Sequence, residues 1–502
     1  MANVLFVTMG TLGDVLPLLA PASELRRRGH EIVVAAPRAF RDIVEAAGSR
    51  WVPYGSTDPE AARANAARDD FWCLETIEAQ HEPFERFLDG YGVLVAAAAD
   101  ADLIVDAQGA LIPALCAAKL GIRHQELHLN AFPTWCPSHR DCIILMQAAL
   151  AREPWTGVTI PGRIVAQLGA GAVGHDADAL LRCSDRLRRI GWRPASLTHA
   201  AAWATREGVR EAAVRILSEA PSGDVLYTVP PAFIDRAEHG AVDPVPLGFS
   251  LTEADDGPLD RELDAFLERQ PVLFSLGSMS VSEPAAFLSR YVAAARLVGV
   301  PLLVQRGWAQ FRESMLDREL RDPAYVRFVD YVSHDQLLAR CRAMISHGGI
   351  GALARALRNG VPSMVAPRTH DAFYNARFVT RLELGIAIRP YESAAEIAAA
   401  LTQLLSATPV MTQLARWRGR IATDEAASRI ADAVEHVARG ERAAPMIDDE
   451  VEPRSVAAPA HQPARAILTE GESTLLAVGR LYMCKSQIPP AMLTEAMDAA
   501  SR

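Results

Sequence analysis

The chain has 502 residues, 50% of them apolar and 22% charged, a core-forming composition long enough for about three domains. Its 51 basic side chains against 61 acidic ones leave a formal charge of −10. With no basic run beyond Arg26-Arg27-Arg28, that balance argues against a nucleic-acid partner, which needs clustered cations. The seven cysteines (Cys73, Cys116, Cys136, Cys142, Cys183, Cys341 and Cys484) are odd in number and form no C-x-x-C pair. Neither a disulfide framework nor structural zinc fits them, and a reduced, cytoplasmic setting is expected. The apolar start at residues 2–8 runs into Gly10 without a basic lead, so no signal peptide is expected. The apolar run 103–122 is broken by Asp106, Gln108 and Lys119, so no transmembrane segment is expected either.

From the amino end, Val4-Leu5-Phe6-Val7 reads as a buried strand and residues 10–13 as a tight loop. Residues 15–28 have helical character, with Pro17 in the first turn, where its missing N–H is harmless. Gly29 stops that helix, Ile32-Val33-Val34-Ala35 is a second strand, and Pro37 closes it. Strand, loop, helix and strand at this spacing predict a βαβ unit on a parallel sheet. The alternation recurs at 102–105 and 110–120, then weakens at 123–173 into Trp, Pro, Gly and His, as a ligand-lining insertion would. After Asp243-Pro244-Val245-Pro246 the acidic stretch 252–260 reads as an interdomain linker. A second alternating block follows, with strands at 272–275, 302–304, 326–329 and 343–345, and helical character continuing to about 439. Residues 440–466 are rich in Pro, Ala and acid and read as a loose linker before a last amphipathic segment. The expected layout is an α/β chain of two doubly wound halves: 1–240, a linker at 241–260, 261–440 with closing helices, and a flexible tail at 441–502.

Ser346-His347-Gly348-Gly349-Ile350-Gly351 lies between a strand and a helix that stops at Gly360-Val361-Pro362. Glycines at a helix N-terminus let a ligand approach unpaired N–H groups, and the helix dipole favours negative charge there. A diphosphate fits that description. The competing reading is a tight turn with His347 capping its own loop. At the other end, Gly10-Thr11-Leu12-Gly13-Asp14 opens the first helix. A dinucleotide fold would want a third glycine where Leu16 stands and an acid after the second strand, which ends Ala35-Ala36-Pro37. NAD and FAD are therefore not expected. Asp14 is either a general base at the carboxyl edge of the sheet or a helix cap, and the residues alone leave both roles standing.

Taken together, Gly10-Thr11-Leu12-Gly13-Asp14-Val15-Leu16-Pro17, Arg28-Gly29-His30, Phe274-Ser275-Leu276-Gly277-Ser278 and the 347–351 loop with Gly360-Val361-Pro362 resemble the GT-B glycosyltransferases. The nearest likeness is to bacterial and sterol-type enzymes that glycosylate natural products and lipids, including rhamnosyltransferases. It spans roughly residues 1–440. The resemblance implies two Rossmann-like domains facing a cleft, acceptor in the first and nucleotide-sugar in the second, with inverting, metal-independent transfer and no cofactor. It places a general base at Asp14 and donor-binding positions at Ser278, Tyr331, Val332, His347, Gly348, Gly349, Gly351, Arg355, Asp371 and Asn375. Tyr331 falls near a position where a Trp often stacks on the nucleobase; its alternative is a core aromatic ending a strand. Acceptor contacts are expected at Gly13, His128, Phe132, Trp135 and Trp155.

Four departures fall in the donor half. Ala352 stands for a usual Thr or Ser, Ala372 for a Gln that reads sugar hydroxyls, and Ser346 for a second His. Arg355 stands for a Glu that grips the ribose, and an arginine cannot accept a hydrogen bond. They point to an unusual donor, such as a dTDP-linked deoxysugar, with a UDP-sugar as the other candidate. The alternative is a non-catalytic homologue serving as partner or activator of another transferase. A nucleotide-sugar epimerase on the same architecture is opposed by the 10–14 signature. The acceptor is expected to be small and lipophilic. Composition does not address the oligomeric state.

Overall fold

A computed structural model describes residues 1–55, 84–107, 111–130, 206–209, 212, 224–234, 243–252, 257–281, 283–367, 370–389, 392–422 and 425–443. Within them two parallel sheets alternate with helices, so the α/β expectation holds.

The first sheet holds β1 (Asn3–Val7), β2 (Glu31–Ala36), β3 (Arg50–Pro53), β4 (Leu103–Asp106), β5 (Arg123–His128), β6 (Asp224–Tyr227) and β7 (Asp243–Pro246). Their spatial order is β3-β2-β1-β4-β5-β6-β7. Its helices are α1 (Leu12–Arg27), α2 (Arg41–Ala46), α3 (Phe84–Ala97) and α4 (Leu111–Leu120). Strand β1 is apolar throughout because both of its faces are covered. Val4 and Phe6 pack on the α1 side, Leu5 and Val7 on the side of α3 and α4.

The second half opens with α5 (Arg261–Leu267), β8 (Val272–Ser275), α6 (Pro284–Val298), β9 (Leu302–Gln305), β10 (Val326–Val329), α7 (His334–Leu338) and β11 (Ala343–Ser346). It continues through α8 (Ile350–Asn359), β12 (Ser363–Val365), α9 (His370–Arg381), β13 (Gly385–Ala387), α10 (Ala394–Ser406) and α11 (Thr408–Ala422). The sheet order is β10-β9-β8-β11-β12-β13, and β8 pairs in register with both β9 and β11. The order reverses at β8 and β11. In open parallel sheets ligands bind at such a point, outside the strands' carboxyl ends.

Three boundaries differ from the sequence reading. Residues 243–246, assigned to the linker, form β7 and extend the first sheet, pairing with β6 through Asp224↔Asp243 and Tyr227↔Pro246. A proline is tolerated in an edge strand, where its missing donor faces no partner. Helix α1 begins at Leu12, so Pro17 sits in its second turn, and Pro21 follows. The last helix, α12 (Ala426–Arg439), leaves the half that precedes it. Ile430, Ala431, Ala433 and Val434 are buried in the core of the first sheet, against α1. Arg28 fixes that docking through Ser428 Oγ (2.7 Å) and Asp432 (2.5 Å), and His30 Nε2 lies 2.9 Å from Glu435.

The halves also meet through Phe233. It stacks on Phe378 at 5.5 Å, meets Trp417 edge-on at 5.6 Å and packs against Phe249 at 5.2 Å. Helix α1 also touches α8.

Candidate active site

Thr11 and Asp14 build the start of α1 together. Thr11 is the N-cap, its Oγ1 accepting from Gly13 N at 3.3 Å, and Asp14, three residues on, returns the bond. Asp14 Oδ2 accepts from Thr11 N at 2.6 Å and from Thr11 Oγ1 at 3.1 Å. This is a capping box, which satisfies otherwise orphaned donors and orients the carboxylate. Gly10 makes room for it. Its φ is +113°, and a Cβ there would fall inside the Asp14 carboxylate. Thr8 Oγ1, on the buried residue just after β1, donates to the Asp14 carbonyl at 2.9 Å. The two readings of Asp14 are thus compatible: it caps the helix and stays half-buried at the carboxyl edge of β1.

Helix α8 starts differently. Its N-cap is Gly349, with no side-chain cap; Ala352 N and Leu353 N bond back to the Gly349 carbonyl at 3.1 Å, and the N–H groups before them have no partner within the helix. Gly348 has φ +92°, and a Cβ there would lie 2.6 Å from Val365 Cγ1 and 3.3 Å from the Ala372 carbonyl oxygen. Only glycine lets the loop sit against β12 and the first turn of α9. The imidazole of His347 lies between two loops. A Cβ on Gly349 would come 2.7 Å from its Nε2, and one on Gly277 would come 3.7 Å from its Cε1.

The remaining donor positions divide. Ser278 is half-buried in the turn after β8, Val332 is half-buried, and Asp371 lies in the first turn of α9. Tyr331 is 66% exposed, which removes its reading as a core aromatic. Asn375 is fully buried and donates Nδ2 to the Gly348 carbonyl at 2.9 Å, so it holds the loop and presents no face to a ligand. Ala372 is fully buried against that loop as well. Arg355 lies beside Gly351, where a Cβ would stand 3.9 Å from its Nη1, with its Nε 3.2 Å from Asp335 Oδ2 and its Nη2 donating to the Thr252 carbonyl at 3.2 Å. Asp335 also pairs with Arg358 and accepts from Asn359 at 2.9 Å.

On the acceptor side, Gly13 is exposed in the first turn of α1. His128, ending β5, is 7% exposed, with Nε2 3.1 Å from Glu126 and its ring 5.4 Å from that of Tyr227. It is an internal, carboxylate-paired histidine, so direct acceptor contact at this position is not supported by its packing. Phe132, Trp135 and Trp155 lie outside the described residues.

A polar layer beneath the loops escaped the sequence reading. Ser275, Gln305 and Ser346 end β8, β9 and β11, and each is buried. Ser275 Oγ accepts from Gly277 N at 3.3 Å and donates to Gln305 Oε1 at 2.8 Å. Gln305 Nε2 donates to the Val332 carbonyl at 2.7 Å, and Ser346 Oγ accepts from Gly348 N at 3.2 Å. The signal was present: three apolar strands, Val-Leu-Phe-Ser, Leu-Leu-Val-Gln and Ala-Met-Ile-Ser, each close on a polar residue at the ligand edge.

Comparison with known proteins agrees with this architecture. Residues 310–437 match the family model of the erythromycin biosynthesis protein CIII-like C-terminal domain. The chain is 28% identical over 439 residues to glycosyltransferase GtfE of Amycolatopsis orientalis, covering 85% of this chain and 95% of that protein. It is also 28% identical over 418 residues to the vancomycin aglycone glucosyltransferase of the same organism, covering 80% and 90%. Among solved structures it superposes on the glycotransferase of kitacinnamycin with a TM-score of 0.59 at 22% identity, covering 87% and 98%. It superposes on the calicheamicin glycosyltransferase CalG4 with a TM-score of 0.56 at 21% identity, covering 88% and 98%. Alignment over 80–85% of the chain to named transferases, together with two parallel sheets in the GT-B arrangement, supports reading it as a nucleotide-sugar glycosyltransferase similar to those of natural-product biosynthesis.

Proposed function

We propose that the chain transfers a sugar from a dTDP- or UDP-sugar to a hydroxyl of a small lipophilic natural-product acceptor, with inversion and without a metal. The acceptor oxygen attacks the anomeric carbon in line. Its C–O bond forms as the bond to the diphosphate oxygen breaks, and Asp14 takes the hydroxyl proton. The single observation that carries this reading is the uncapped start of α8 at Gly349, on a helix that touches α1, whose own start holds the Asp14 carboxylate. The leaving diphosphate draws on the N–H groups of that first turn, the helix dipole, Ser278 and His347. Loss of one preorganised donor of this kind costs about 3 kcal/mol of transition-state stabilisation.

The acceptor class rests on the relatives, since the vancomycin aglycone glucosyltransferase is named for an antibiotic aglycone. The donor preference rests on Arg355. Its guanidinium is occupied by Asp335 and Thr252, and it has no lone pair to accept from a ribose hydroxyl. A 2′-deoxyribose therefore loses little here, which favours dTDP.

Asp14→Asn keeps the shape of the capping box and removes the base. Transfer is expected to fall about 10²–10⁴-fold, the usual span of general-base catalysis, while calorimetric affinity for dTDP and UDP changes less than threefold. A variant that turns over normally refutes the base assignment. A wild-type protein silent towards every nucleotide refutes the transferase reading and favours the partner role.

A further inference from the structure

Beneath the loops, the imidazole of His334 reaches inward from the first residue of α7. Its Nε2 lies 3.1 Å from Ser275 Oγ and 3.0 Å from Gln305 Oε1. Counting protons fixes the state of every group. The Val332 carbonyl can only accept, so the amide end facing it at 2.7 Å is Gln305 Nε2, and the end facing His334 is the carbonyl oxygen. That oxygen can only accept. A bare imidazole nitrogen 3.0 Å away would set lone pair against lone pair, so His334 Nε2 carries a hydrogen. Ser275 then spends its one proton on Gln305 Oε1 and accepts from Gly277 N.

We infer that His334 is a positioning residue for the donor site. As its Nε2–H tautomer it orients the Gln305 amide, so that one side chain anchors the Val332 carbonyl while the Ser275 hydroxyl anchors the Gly277 amide. The inference deepens the proposed function and rests on it: Tyr331 and Val332 form the nucleobase end of that site, and Gly277 and Ser278 border its diphosphate end. One imidazole thereby sets the distance between the loops that follow β8 and β10, the strands on either side of β9. Removing its hydrogen leaves Gln305 Oε1 with the Ser275 hydroxyl as donor, which loosens the amide and its hold on the Val332 carbonyl.

His334→Leu removes the donor, and His334→Gln places an amide N–H near the position of Nε2. Calorimetry with dTDP, UDP and ADP reads the outcome, with thermal unfolding recorded for each protein. The leucine variant is expected to bind dTDP and UDP at least tenfold more weakly, with their advantage over ADP collapsing towards unity. The glutamine variant should stay within threefold of wild type in both respects. Equal loss in both variants, tracking a lowered melting temperature and leaving base selectivity intact, makes the role merely structural and overturns the inference. Wild-type behaviour of the leucine variant overturns it too. Nitrogen-15 NMR of the ligand-free protein gives an independent reading. An Nδ1–H tautomer at His334 sinks the inference even if transfer is real. If the wild type binds no nucleotide while the Nε2–H tautomer is present, the proposed function has failed, and the inference falls with it.

Discussion

Gly10 and Gly349 both precede helices, yet they are glycine for different reasons. At Gly10 the backbone is in the left-handed half of φ space and the Asp14 carboxylate occupies the place of a side chain. At Gly349 the dihedrals are ordinary for an N-cap, and the constraint is the imidazole of His347 beside it. Gly10→Ala should therefore cost stability and displace the proposed base together. We expect a loss of about 1–3 kcal/mol in urea unfolding, the cost of a strained backbone position. Activity should fall further than that loss of folded protein explains. A variant that unfolds earlier but transfers at the wild-type rate would separate the glycine from the base. At this scale the sequence was informative wherever chemistry is local: Gly10, Thr11 and Asp14 are close enough along the chain for their spacing to announce a helix start. Asn375 was not legible in the same way. Its type and position suited a donor contact, but its burial and its bond to Gly348, 27 residues away, depend on how α9 packs against the glycine loop.

Among the elements, strands β1, β4, β8 and β11 could be read directly, because parallel strands buried on both faces are continuous apolar runs. The crossing of α12 could not. Its amphipathic pattern requires one buried stripe, and nothing local says which sheet supplies the partner; Arg28 and His30 recognise it more than 390 residues away. Strand β7 was hidden for a related reason, since its prolines and flanking acids resemble a linker until β6 pairs with it. The docking of α12 makes a clear prediction. Val434 is fully buried in the first core, and Val434→Asp places an unpaired charge there. The expected loss exceeds about 3 kcal/mol, borne by the first half of the chain. Limited proteolysis should then cut within residues 1–250 while 261–422 stays protected. Equal sensitivity in both halves would mean that α12 does not dock as described.

For the whole molecule, His334 links stability to pH. Burial, with Arg355 and His347 nearby, pushes its pKa down to about 4 from 6.5, Asp335 opposing them. The unfolded chain takes up that proton below pH 6.5 while the folded one refuses it until about pH 4. This contribution is complete above pH 6.5, declines as the pH falls, and is exhausted below pH 4. It amounts to of order 2 kcal/mol, since partial exposure screens some of the shift. Urea unfolding between pH 7.5 and 4 should show the decline, and His334→Gln should flatten it by that amount. An unchanged slope in the variant would assign the decline to other groups.

The return of α12 also governs how the halves can part. The backbone passes between them twice, once across 247–260 and again between α11, whose Leu414, Trp417 and Ile421 are buried in the second half, and α12 in the first. Severing the earlier passage leaves the fragments leashed by the later one, at an effective concentration in the millimolar range. The Phe233 contacts with Phe378 and Trp417 add a third tie beside the two passages, so the halves are held together by packing as well as by the backbone.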